Sequence, residues 1–231
     1  MKKLLLCTLI IFCLRDAMAQ QIVERRNKIV GDVTERVQTI IEADKQVKDG
    51  SYRALYKRKV LASGKYVNDK KAGIWHYFDR DGILMQNYDY DKNELLFEAP
   101  EDAGSPFSYN VDDTIKATDK VTQPVKLGGR YFGYLPLLKL FVLPKELRQE
   151  PTVRYLVTFE LLISPMGRLA DIIIHVKYGT ALREEMTYTI DPDLLKEHDR
   201  TFIPATFNAK PIASQIKLVC SADVYGLIDM F

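Results

Sequence analysis

The stretch TFIPATFNAKPIASQIKLV, Thr201–Val219, is where the fold is decided. Pro204 locks its own φ and holds Ile203 extended, so the chain reverses there instead of continuing a helix. Asn208-Ala209-Lys210-Pro211 makes the next turn. Pro211 lacks an N–H and suits the start of a strand, never its middle. The run IASQIKLVC that follows alternates, with Ile212, Ile216 and Leu218 on one face. An elbow, a tight turn and a closing strand are expected in that order.

Upstream, LGGRYFGYLPLLKLFVLPKEL sets Leu137, Leu138, Leu140, Phe141 and Leu143 at the spacing of one helix face, stopped by Pro144. Gly128-Gly129 lacks the Gly-Lys-Ser/Thr of a phosphate loop and serves helix entry. Val153–Glu160 and Ala170–Val176 read as strands joined by the turn SPMGR. DPDLLKEHD, 191–199, reads as a short helix capped by Asp191 with Pro192 in its first position.

This order, over residues 126–220, resembles the C-terminal domain of TonB and the TonB-like domains of exported bacterial proteins. Its most specific pieces are Phe202-Ile203-Pro204-Ala205, Asn208-Ala209-Lys210-Pro211-Ile212, and Phe159 to Asp171 around Gly167. The resemblance implies an α+β domain, 126–231, of two helices on a three-stranded antiparallel sheet. Its last strand would offer an edge to a partner through Ala213, Ser214, Gln215, Ile216, Lys217, Leu218 and Val219. The family usually has glycine where Ala209 stands, and alanine at a positive φ costs about 1–2 kcal/mol. The tail SADVYGLIDMF also departs from the family, as does the lack of a retained membrane helix and a proline-rich spacer. The fold is carried over; the energy-coupling role is not.

Further upstream, Gly50-Ser51-Tyr52 recurs 23 residues later as Gly73-Ile74-Trp75, with Leu55 matching Phe78, Val60 matching Ile83 and Leu61 matching Leu84. NDKKAG and DRDG supply turns, and Tyr66, Trp75, Tyr77, Tyr88 and Tyr90 fall largely on alternate positions, as a pleated surface requires. Such a period means stacked antiparallel β-hairpins. Residues 48–94 resemble a MORN-type repeat variant, although the first unit has Tyr52 in the tryptophan position and no Asp-x-x-Gly turn. Tyr66, Trp75, Tyr77 and Tyr88 then form either the hairpin core or a second, exposed contact surface. VTERVQTII, from Val33, reads as a strand, so the hairpin module spans 20–94. Residues 95–125 are acidic, proline-bearing and aperiodic, which marks a linker, with β-prone FSYNV inside it.

The chain opens MKKLLLCTLIIFCLRDAMAQ, with Lys2 and Lys3, an apolar run Leu4–Leu14 and the small-residue pattern Ala17-Met18-Ala19. These are the parts of an export signal, residues 1–19. As a helix, that apolar run reaches only about 16 Å against a bilayer core of about 30 Å, so no permanent membrane span is expected. Beyond it, basic and acidic residues balance at 30 each, without the surplus a nucleic-acid-tracking protein needs. Cys220 is then the single cysteine, and a small apolar strand residue is its expected role.

His76, His175 and His198 fall in different elements without metal-ligand spacing. Asp191, Asp193 and Glu197 complete the candidate acid–base groups. No Gly-x-Ser-x-Gly elbow occurs. The expectation is a non-catalytic exported protein, periplasmic or outer-membrane-associated, without cofactor or metal. It would bind an envelope or outer-membrane protein by strand addition, a contact the resemblance links to outer-membrane transport. A structural part in an envelope assembly is the alternative, and a hydrolase the third.

Overall fold

The computed structural model describes residues 22–42, 45–111, 115–148, 155–223 and 225–230; the expected export signal lies outside them. Alternation of small or aromatic residues with charged ones, broken by tight turns, builds the first sheet. It is a seven-stranded antiparallel meander of β1 (Val23–Val30), β2 (Val33–Glu42), β3 (Lys45–Tyr56), β4 (Lys59–Val67), β5 (Lys70–Phe78), β6 (Leu84–Asp89) and β7 (Glu94–Glu98). Asn68 and Asp69 turn β4 into β5 at φ 49° and 64°. Asp79 accepts from the N–H groups of Asp81 and Ile83 in the DRDG turn. Register places Tyr52 against Gly64, and Trp75 against Tyr88. A Cβ on Gly64 would stand 2.4 Å from the Trp75 ring, so glycine is what lets the indole lie on the strand. The 23-residue repeat therefore puts Tyr52 and Trp75 on one inner face, their rings 5.1 Å apart.

The chain continues through β8 (Phe107–Val111), β9 (Val121–Thr122), β10 (Val125–Lys126), a single-turn α1 (Leu135–Leu138), β11 (Leu156–Ile163), β12 (Leu169–Tyr178) and β13 (Glu184–Ile190). It ends with β14 (Phe202–Ile203), β15 (Ala205–Phe207), β16 (Lys210–Ile212), β17 (Ser214–Ala222) and β18 (Ile228–Met230). The second large sheet is antiparallel in the order β13-β12-β11-β17, with β8 and β18 both on the far side of β17. Small sheets pair β10 with β14, and β15 with β16 and β9.

This corrects the α+β expectation: the protein is mostly β, and among the described residues no pair of helices packs on a three-stranded sheet. Two physical causes are visible. The LPLLKLFVL segment is buried at Leu135, Leu137, Leu138, Phe141 and Leu143, so its apolar spacing reflects enclosure rather than one helix face. Beyond Leu140 it runs extended, bridging Val142 to Leu227 and giving the Leu143 N–H to Gly226 O at 2.9 Å. In DPDLLKEHD, Asp191 caps as expected, accepting from Asp193 N at 2.8 Å, but only the 3₁₀ turns Pro192–Leu194 and Glu197–Asp199 form. Nine residues are too few for a helix to persist without tertiary support.

Within the expected linker 95–125, the described residues complete β7 and supply β8 and β9. One hydrophobic cluster runs from Val33 to Met230, across both expected module boundaries. Tyr56 meets Tyr131 at 6.2 Å, and Tyr77 stacks on Phe132 at 6.0 Å. The fully buried Gln86 clasps the two halves. Its Oε1 accepts from Gly128 N (2.9 Å) and Gly129 N (3.1 Å), while Nε2 donates to Lys126 O (3.0 Å) and Glu98 Oε2 (2.7 Å). Both glycines have positive φ, and a Cβ on Gly129 would come within 2.9 Å of the Tyr77 Cβ.

Candidate functional site

The strand expected to offer a free edge does not. Ser214, Gln215, Ile216, Lys217 and Leu218 pair with β11 on one side and with Val111 to Phe107 of β8 on the other. Val219 pairs Thr158 and gives its N–H to Pro106 O at 2.9 Å; Ala213 precedes the strand. Ile216 and Leu218 are core residues. The supposed rim is the middle of a sheet, covered by a strand from the supposed linker. Ile216 faces Tyr109 there, and Phe107 packs on Tyr134 at 4.9 Å.

The aromatic set is interior too. Trp75 and Tyr77 are fully buried, Tyr88 is buried and Tyr66 half-buried, so of the two readings of these residues the hairpin core is the one that fits. What the sequence did not signal is a lysine among them. Lys71 Nζ donates to Tyr77 OH (3.2 Å) and Tyr90 OH (3.1 Å) and lies 4.6 Å from the Trp75 ring centre. Burial, then the nearby Lys126, lowers its amine to about 7, while Asp199 pulls the other way. Lys126, also buried, donates to Thr201 O (3.2 Å), lies over Phe202 (4.9 Å) and is lowered by burial to about 8. Burial raises the phenols of Tyr66, Tyr77 and Tyr90. In this enclosed node Lys126 ties the 198–201 turn to β10, and the two amines are engaged by phenols and carbonyls.

The acid–base candidates are scattered. His76 on β5 sits 2.7 Å from Asn87 Oδ1. His175 on β12 stands between Glu160 (3.3 Å) and Glu185 (3.0 Å), whose carboxylates also meet Lys217 and Lys177. His198 adjoins Asp199; Asp193 and Glu197 pair with Arg200, and Glu197 also with Arg168. No group of three or more metal-capable side chains occurs among the described residues. Burial pushes the Cys220 thiol up to about 12, so it stays protonated and inert.

One edge of the second sheet is open in the way β17 is not. β13, EEMTYTI, pairs only with β12 among the described residues, from Ile172–Ile190 to Tyr178–Glu184, without a bulge. Natural edges are guarded by charge, proline or bulges; Met186 to Ile190 has none of these. Met186 is 42% exposed, and Tyr188 leans on Phe141 at 5.1 Å. The β-prone run Thr187-Tyr188-Thr189-Ile190 was the available signal. No family model, curated protein or solved structure matches the chain. No helix among the described residues is long and apolar enough to cross a membrane.

Proposed function

We propose that this is a non-catalytic, exported binding protein that takes up an extended segment of an envelope protein partner along the outer edge of β13. The leader-like start supports export to the periplasm or the outer membrane. The observation that carries the binding reading is the regularly paired edge of β13, which from Met186 to Ile190 carries no charge, proline or bulge. A seven-residue edge takes about six main-chain hydrogen bonds, each worth about 1 kcal/mol net, against an association cost of about 4–15 kcal/mol. Backbone pairing alone is therefore marginal, and the exposed Met186 and the half-exposed Tyr188 supply the side-chain contacts that add to it.

The test uses proline at adjacent positions. Successive N–H groups of a strand point to opposite sides, so one of Thr187→Pro and Tyr188→Pro removes an outward donor while sparing the ladder to β12. A photo-crosslinker at Met186 in intact cells is expected to give a discrete protein adduct that this sparing variant loses. An absent adduct, or one indifferent to both prolines in folded protein, refutes the reading.

A further inference from the structure

The meander has an outer face that packs on nothing among the described residues, and its charge is lopsided. Register aligns Arg26 opposite Arg36, Arg36 opposite Arg53, Arg53 opposite Ser63 and Ser63 opposite His76. Directly paired residues share a face, so three guanidinium side chains stand in a row across β1, β2 and β3. Lys28 lies on the same face, two residues along β1 from Arg26. Lys65, two residues along β4 from Ser63, pairs Ser51 of β3. All five cations are exposed. Against them the described residues on the same face of β1–β4 include two carboxylates, Glu24, which pairs with Arg26 at 3.3 Å, and Asp49, which accepts from the Asn68 N–H at 3.2 Å in the β4–β5 turn. Arg36, Arg53, Lys28 and Lys65 have no ion pair among the described residues, in a chain of 33 basic and 31 acidic residues.

Like charges directly opposite one another weaken a sheet, so this row of arginines costs the fold stability and does not support it. The row crosses open pleated surface, with the half-buried Leu55 and Val60 beside it on the same face. It presents a plane of positive charge over a little apolar surface. Guanidinium groups bind phosphate bidentately, and cations spread on a plane match an array of anionic headgroups better than one anion. We propose that the outer face of β1–β4 docks on an anionic lipid surface through Arg26, Arg36 and Arg53, assisted by Lys28 and Lys65. Such docking leaves β13, on the other sheet, available to a protein.

The experiment is co-sedimentation of the purified protein with phosphatidylcholine vesicles containing phosphatidylglycerol, and with vesicles of phosphatidylcholine alone. Binding is expected to the anionic vesicles only and to disappear in molar salt, where the screening length falls to about 3 Å. A basic side chain near an anionic leaflet is worth about 1 kcal/mol, which is about fivefold in affinity. Arg36→Gln should therefore weaken binding about fivefold, and the triple Arg26→Gln, Arg36→Gln, Arg53→Gln variant on the order of a hundredfold. The melting temperature should hold or rise, since repulsion is relieved. Arg168→Gln, an exposed arginine outside this face that pairs with Glu197, should bind like wild type. Equal vesicle binding by the triple variant overturns the assignment, as does equal binding to neutral vesicles. So does arginine-dependent capture by soluble polyphosphate, or by an acidic protein, with no binding to anionic vesicles.

Discussion

Lys71 makes the sharpest test of the interior. Its amine is lowered from 10.5 to about 7 by burial. Between those values the unfolded chain carries the proton and the folded chain does not, so raising the pH favours folding. Each pH unit above the folded value adds up to about 1.4 kcal/mol. From about pH 7.5 to about pH 9 the gain from Lys71 is about 2 kcal/mol, with about 1 more from Lys126, lowered to about 8. The window lies below the ordinary tyrosine range. Above pH 10 the raised phenols of Tyr66, Tyr77 and Tyr90 act in the opposite sense, because the unfolded tyrosines ionise first. Lys71→Met keeps the apolar stem and removes the titration. Thermal unfolding at constant ionic strength should show wild type gaining about 4–8 °C more than the variant across that window. Glu98 titrates in both proteins and drops out of the difference, whereas Lys126 and His198 interact electrostatically with Lys71 and are part of what the comparison reads. Parallel curves of melting temperature against pH would mean that Lys71 stays charged in the folded protein, and the reasoning fails.

The clasp at Gln86 predicts that Gln86→Leu strands the N–H groups of Gly128 and Gly129, at about 1–3 kcal/mol for each buried unsatisfied donor. Urea unfolding should report a loss of about 2–6 kcal/mol, and a loss below about 1 would show that water reaches the site. At the β15–β16 turn, Ala209 has φ 64°, beside Asn208, whose side chain is held by Asp119 and Lys120. Ala209→Gly relieves left-handed strain and should stabilise by about 1 kcal/mol in the same assay; destabilisation would show that the alanine methyl makes a contact worth more than its strain.

What was legible in the sequence was local. The 23-residue offset, the Asn68-Asp69 and DRDG turns, the Asp191 cap and the positive φ at Ala209 are set by residues a few positions apart, and each has its place in the structure. The node around Lys71 and Lys126 was not legible, because nothing beside a lysine announces that aromatic rings will enclose Lys71 or that the 198–201 carbonyls will meet Lys126. The misplaced edge has a deeper cause. Side-chain alternation runs perpendicular to the sheet and records which face is buried. Main-chain pairing runs within the sheet, and an edge strand and a central strand of the same sheet share the same period. β17 alternates buried and half-buried residues, a pattern that fits either place; its position is fixed by β8, more than a hundred residues earlier, where Asn110 meets Gln215 across 105 residues. The in-plane position of a strand shows only indirectly, in the guards an edge accumulates. On that criterion β1, with Glu24, Arg25, Arg26 and Lys28, is a protected edge, whereas the uncharged half of β13 is not. Edge guards weighed beside periodicity point to an open edge at residues 186–190 rather than at 213–219.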